Sequence, residues 1–203
     1  ASKALRPLPV LHKGLSEESR VRQRHNDLIV RPEARAMLRT RARITRTIRE
    51  SLEAQGYLEV EGPVLQTLHG GAAARPFITH LNAFDIDMSL RIALELHLKR
   101  TMVGGADRVY EMGRVFRNEG IDVRHNPEFT SIEIYQAYAD YNDLMDVTEG
   151  ICCQAAKDVL GTTALTYEGT EIDLSKIRRI SMNDAVKEAT GKDFMSAQTV
   201  EEA

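Results

Sequence analysis

Three stretches of this sequence alternate apolar with polar residues, and their polar positions carry side chains able to hold a charged ligand. In 85–95 the even positions Ile86, Met88, Leu90, Ile92 and Leu94 are apolar, and the odd ones are polar or small. In 108–117, Glu111 and Arg117 share a parity. In 129–138, Ile132 and Ile134 fall on one side and Glu133 and Tyr135 on the other. A period of two puts each set on one face of a strand. The pattern predicts antiparallel strands with one face in a core and one toward solvent. That open face would carry Glu95, Glu111, Arg117, Glu133 and Tyr135. Long acids gathered with one arginine and a tyrosine suit a cationic ligand that has an anionic end. The other reading of the same residues is a charged surface with no ligand.

Between the second and third stretches lies RNEGIDVRHNP, 117–127. A simple hairpin needs only a few residues, so a connection this long and basic suggests a task. Its arginines could grip a phosphate bidentately, and Phe129 just beyond could stack on a base. An exposed turn with Phe129 in the core is the alternative. Upstream, HGGAAAR at 69–75 precedes Pro76. It is either a plain loop or a place where backbone approaches a ligand as closely as tiny side chains permit.

The elements that must position these residues can be read from punctuation and periodicity. Pro7, Pro9 and Gly14 mark 1–15 as a linker. A charged helix is predicted over 16–28, with Ser16 as its N-cap. A longer helix starts at Pro32; Ala34, Met37, Leu38, Ile44, Ile48 and Leu52 give it an apolar stripe, and Gly56 ends it. Residues 57–60 read as a strand stopped by Gly62 and Pro63. Another helix covers 142–160, with Leu144, Val147, Ile151, Ala155 and Val159 inward and Gly161 closing it. A hairpin turns around Gly169 within 165–174, and Ser181 caps a last helix ending at Gly191.

The chain's 203 residues allow one domain, or one and a small appendage. Hydrophobic residues at 42% and charged residues at 28% are ordinary globular values. They exclude a disordered or collagen-like chain. The apolar runs are too short for a transmembrane helix, and the first residues lack the apolar segment of a secretory signal. Cys152 and Cys153 are sequence neighbours, a poor geometry for a disulfide and no metal motif; a reducing, cytoplasmic setting is expected. A net charge of −3 argues against a bulk nucleic-acid binder. The arginines crowd between Arg20 and Arg49, as a solvated helix face or as an interface or anion-facing surface.

The string FRNEGIDVRHNPEFTSIEIYQAYADYND at 116–143 resembles the second signature motif of class II aminoacyl-tRNA synthetases. With GGAAARPF at 70–77 and LRIALELHLKR at 90–100, the chain is similar to the bacterial lysyl-tRNA synthetases. The helix and strand of 32–65 resemble the first signature motif, and RVRQRHNDLI at 20–29 fits the segment before it. The resemblance runs from about Leu5 to Met195. It implies an α+β fold, an antiparallel sheet flanked by helices. It implies that lysine and ATP give lysyl-adenylate and pyrophosphate, and that the lysyl group then passes to tRNA.

The resemblance also implies roles for residues. Arg117 would bridge the lysine carboxylate and the α-phosphate, neutralising charge at phosphorus. Glu119 and Asn126 would lie near the adenine, His125 near the outer phosphates, and Phe129 under the base. Glu95 would receive the lysine α-ammonium, with Gly71 and Ala93 beside it; Glu133 and Tyr135 would line the pocket for the lysine side chain. ATP would be a substrate accompanied by Mg²⁺, most of whose ligands are expected outside this chain; no metal ligand is expected within it. A homodimer is expected through the first motif, as is a cytoplasmic location without a membrane. Residues 1–15 would be a linker after an anticodon-reading OB-fold, and 16–203 a partial catalytic domain stopping before the third signature motif. Leu94 stands where the family usually has proline, His97 and Ser89 where aromatics are usual, and Asn26 in place of a usual leucine. The alternatives are a non-catalytic paralog that dimerises or senses a ligand, and a tRNA-independent ligase that adenylates an amino acid.

Overall fold

Ser16 caps the first helix of the described residues: its Oγ accepts from the Ser19 backbone N–H at 3.2 Å. The computed structural model describes residues 14–196; most of the expected linker, 1–13, lies outside the described residues. The single helix expected over 16–28 is two, α1 (Glu17–Arg22) and α2 (Arg24–Val30), parted at Gln23. Beside the break, Asn26 Nδ2 donates to Gln23 Oε1 at 2.9 Å. Asp27 is 1% exposed and is held by Arg24 and Arg31, each at 2.8 Å. Part of the early arginine crowd therefore serves to bury one acid. The long helix α3 (Pro32–Ala54) carries its proline in the first turn, where a missing N–H costs nothing.

The chain then builds two three-stranded sheets. Strands β1 (Leu58–Glu59), β2 (Leu65–Gln66), β3 (Ile78–Leu81) and β4 (Ile86–Leu90) come first. Helix α4 (Glu95–Val103) and the long hairpin β5 (Arg108–Phe116) and β6 (Glu128–Gln136) follow. One sheet has the order β1-β5-β6, with β1 parallel to β5 and β5 antiparallel to β6; the other is β2-β4-β3, all antiparallel. Helix α5 (Tyr141–Leu160) packs back on α3. Its cap is Asp140, whose carboxylate accepts from the backbone N–H groups of Asn142 and Asp143. Gly161 closes it in the left-handed region. The hairpin β7 (Ala164–Tyr167) and β8 (Thr170–Asp173) turns at Glu168 and Gly169, both with positive φ, the two-residue turn that matches strand twist. Helix α6 (Met182–Thr190) lies between Ser181 and Gly191. The fold is α+β, with antiparallel sheets flanked by helices. No helix among the described residues is long and apolar enough to cross a membrane.

The β5–β6 hairpin places Glu111 opposite Glu133 and Val115 opposite Phe129, so these odd-numbered residues share a face. The even face, with Tyr110, Ile132 and Ile134, packs against Leu52, Tyr57 and Val147 from α3, its end, and α5. The odd face was expected to meet solvent. Instead Val109, Val115, Phe129 and Tyr135 pack against Leu94 and Leu98 at α4, and Glu111 is 3% exposed. The strand expected over 85–95 ends at Leu90 for the same reason. Arg91 turns into the core, its N–H donating to Val64 O and its carbonyl accepting from Phe116 N–H, both at 2.9 Å. Residues 91–94 are a buried bend, and Glu95 opens a helix rather than closing a strand.

Candidate functional site

The hairpin connection 117–127 is closed at its neck by the Arg117 N–H, which donates to Pro127 O at 2.8 Å. Asp122 organises its tip. Its carboxylate accepts from the backbone N–H groups of Arg124 and His125 at 2.7 and 2.8 Å, and His125 Nδ1 lies 2.7 Å from Oδ2. The Arg124 N–H, then His125, hold that carboxyl below its ordinary range. The 70–75 loop is tied to this connection. Asn118 N–H donates to Arg75 O at 2.8 Å, and Arg75 N–H donates to Glu119 Oε1 at 3.3 Å. Inside lies a cavity of about 520 Å³ lined by Arg117, Glu119, Gly120, Arg124, His125, Asn126 and Phe129. All five residues expected at ATP thus line one cavity. Its lining brings together two guanidiniums, an imidazole and an aromatic ring, groups that suit an anion joined to a planar ring. The Arg117 Cζ stands 5.2 Å from the Phe129 ring centroid, and its Nε donates to Ile92 O at 3.3 Å.

The five residues expected at lysine also come together. A Cβ added to Gly71 would stand 2.8 Å from the Glu95 Cβ and 3.1 Å from the Ala93 Cβ. The small residues of the 69–75 loop therefore permit contact with the start of α4. Glu133 reaches the same place from β6. Its Oε1 accepts from the Leu94 N–H at 2.8 Å, and its Oε2 accepts from the Tyr135 hydroxyl at 3.0 Å. A proline at 94 would have no N–H to offer it. Burial first, then the charges of Glu133 and Glu95, push the Tyr135 hydroxyl well above the ordinary tyrosine range, so it remains a donor. Glu95 itself is paired to Lys99 Nζ at 2.7 Å, with its side chain 29% and that of Lys99 59% exposed.

Glu111 does not join this group. It pairs with Arg91 at 2.6 Å in the interior, a partner that periodicity alone did not single out. The signal was present: an arginine between Leu90 and Ile92 in an otherwise apolar run must find an acid when buried. Lys99 was also missed, although it sits one helical turn from Glu95.

Residues 16–201 match the family described as tRNA synthetases class II (D, K and N). This chain belongs to that family. Similar proteins include the lysine–tRNA ligase of Trichormus variabilis, 59% identical over all of this chain and 36% of the relative. Those of Enterococcus faecalis and Bacillus subtilis are 59% and 56% identical over all of this chain and 41% of each relative. The chain thus spans well under half the length of these relatives. Against the sequence-based expectation, the structure differs in the split of the first helix at Gln23, in the buried bend at 91–94 and in the pairing of Glu111 with Arg91.

Proposed function

We propose that this chain is part of the lysine-activating centre of a lysine–tRNA ligase. The cavity at 117–129 takes ATP, and the group around Gly71, Glu95 and Tyr135 takes lysine. The observation that carries the reading is the meeting of Arg117, Glu119, His125, Asn126 and Phe129 around one cavity, in a chain whose full length aligns with lysine–tRNA ligases. A lysine carboxylate oxygen attacks the ATP α-phosphorus, the bond to the β-phosphate oxygen breaks, and pyrophosphate leaves. Arg117 forks to the carboxylate and to an α-phosphate oxygen, offsetting charge that grows in the transition state. Glu119 and Asn126 border the base, Phe129 stacks on it, and His125 faces the outer phosphates. Glu95 takes the α-ammonium between Gly71 and Ala93, while Glu133 and Tyr135 shape the side-chain pocket. Transfer to tRNA follows in the whole protein, in the cytoplasm. Among the described residues no three His, Cys, Asp or Glu side chains form a metal-binding group. Mg²⁺ accompanying ATP would take most of its protein ligands from outside this chain. Residues 16–203 are then part of the catalytic domain, and 1–15 the linker that follows an anticodon-reading domain.

We also propose a homodimer. Met37, Leu38 and Ile44 of α3 are exposed at 64%, 47% and 37%. Met37 and Ile44 border a groove of about 440 Å³ that also reaches Met112 and Ile132 of the hairpin. A second copy bringing the same helix would cover it by two-fold symmetry.

The test of the ATP reading is pyrophosphate exchange on the protein carrying this chain. Arg117→Lys keeps the charge but loses the planar fork, and should lower kcat by about 100- to 1,000-fold. Arg124→Lys, farther out in the connection, should raise the KM for ATP more than it lowers kcat. Exchange at the parent's rate by Arg117→Lys would remove the phosphate role. No exchange by the parent itself would favour a ligand-sensing paralog.

A further inference from the structure

Outside the cavity a buried ion pair joins three segments of the chain. The side chains of Arg91 and Glu111 are 5% and 4% exposed, with Nη1 and Oε1 2.6 Å apart. Arg91 Nε donates to Arg114 O at 2.8 Å, and Nη1 also donates to Gly62 O at 3.0 Å. Glu111 Oε2 accepts from the Gly62 N–H at 3.1 Å. Glycine makes the room: a Cβ on Gly113 would collide with Arg91 Nη2, and one on Gly62 would stand 3.0 Å from Glu111 Oε2.

Such a pair adds little stability over apolar residues of the same volume, because desolvation offsets the attraction. What it does here is fix geometry. The residue after Arg91 supplies the Ile92 carbonyl on which Arg117 Nε rests at 3.3 Å. The Arg91 carbonyl itself accepts from Phe116, the residue before Arg117, at 2.9 Å. The Arg117 anchor therefore stands on the residue after Arg91, while the residue before Arg117 is held by the Arg91 carbonyl itself.

We infer that Arg91 and Glu111 are positioning residues: their buried clasp holds the Ile92 carbonyl, and through it the Arg117 guanidinium, in the orientation that meets an anionic ligand. The inference rests on the reading of Arg117 as a phosphate contact and names what orients it. Losing one charge-assisted hydrogen bond changes affinity by about tenfold.

The test uses the double variant Arg91→Met/Glu111→Leu, an apolar exchange of the kind that spares the fold. In proton–nitrogen spectra the Arg117 Nε–H should exchange with solvent at least tenfold faster than in the parent, and the ATP dissociation constant should rise about tenfold. The Tyr57 amide, which donates to Leu52 O on the far side of the sheet, should keep its protection. An unchanged Arg117 Nε–H in the folded variant overturns the inference. So does an equal loss of protection at Tyr57, which would mean general loosening. If the parent binds no ATP, the phosphate reading fails while the Nε–H comparison still decides the clasp. Should the double variant not fold, Gly113→Ala pushes the Arg91 guanidinium directly and is read by the same signals.

Discussion

Replacing Gly71 with alanine separates two costs that the structure stacks at one residue. Gly71 has φ +87°, and a left-handed backbone costs a non-glycine residue about 1–2 kcal/mol. The added methyl would also stand 2.8 Å from the Glu95 Cβ and 3.1 Å from the Ala93 Cβ. Carbon pairs rest about 3.5–4.0 Å apart, so the methyl must gain about 0.7 Å. Overpacking of this kind costs about 1–3 kcal/mol. With both terms unrelieved, Gly71→Ala should lose about 2–5 kcal/mol. Two other glycines calibrate the sum. Gly56, at φ +81°, has only an ordinary contact at 3.8 Å to Arg108, so Gly56→Ala carries the backbone cost alone. Gly120 has no atom within 4 Å and no positive φ, and Gly120→Ala should be neutral or stabilise by up to about 1 kcal/mol. Urea unfolding of the three variants should give the order Gly71, Gly56, Gly120 from most to least damaging. Because Glu95 and Ala93 sit on the packed end of α4, the exposed loop gives way first, and lysine affinity should fall with stability. If Gly71→Ala costs no more than Gly56→Ala, the close approach of the loop to α4 is not a packed contact, and the proposed place of the loop at lysine fails with it.

Leu98 is fully buried between α4 and the hairpin, so Leu98→Ala should cost about 2–5 kcal/mol in the same urea assay. Asp140 is held below its ordinary value of 3.8 by the Asn142 and Asp143 N–H groups. A depressed carboxyl contributes stability above its unfolded pKa and loses it as pH falls through the folded one. Asp140→Ala should therefore melt below the parent at pH 7, and the gap should close on acidification below 3.8; an equal gap at pH 7 and pH 3 would contradict the cap. Ile44→Asp, in the α3 groove, should turn a dimer into monomer in sedimentation at tens of micromolar, whereas an unchanged boundary would place the interface elsewhere.

Local signals in this sequence were read where local chemistry decides the structure. Ser16 and Ser181 cap their helices, Gly56, Gly161 and Gly191 end theirs, and Glu168-Gly169 turns a hairpin. Each of these needs only a hydroxyl or a positive φ within a few residues. The start of α4 gives no such signal. Its N-cap is Leu94, and the bond that the Leu94 N–H makes runs to Glu133, on a strand far along the chain. Alternation through 86–94 continued past the true end of β4 because the bend at 91–94 is itself buried and keeps its apolar residues. The parity of Glu111, Glu133 and Tyr135 was legible and right. What covers that face was not, because strand periodicity fixes which side chains share a face and leaves the partner of that face open.

Glu111 and Glu133 of that face and Glu95 at the start of α4 are committed unequally, and this ranks them as receivers of an ammonium. Glu111 is spent on Arg91 and on the Gly62 N–H in the interior. Glu133 uses one oxygen for the Leu94 N–H and the other for the Tyr135 hydroxyl; hydrogen bonds to a charged group contribute about 1.5–3 kcal/mol each, so displacing them is costly. Glu95 holds only the 59% exposed Lys99, an i,i+4 pair of a kind worth about 0.3–0.5 kcal/mol. Of the three, Glu95 would give up its present partner to an ammonium at the least cost. Glu133 stays as it is, keeping the N-terminus of α4, and so Glu95, in place. The Tyr135 hydroxyl, pushed above its ordinary range by burial and by both carboxylates, does not ionise and add a third negative charge.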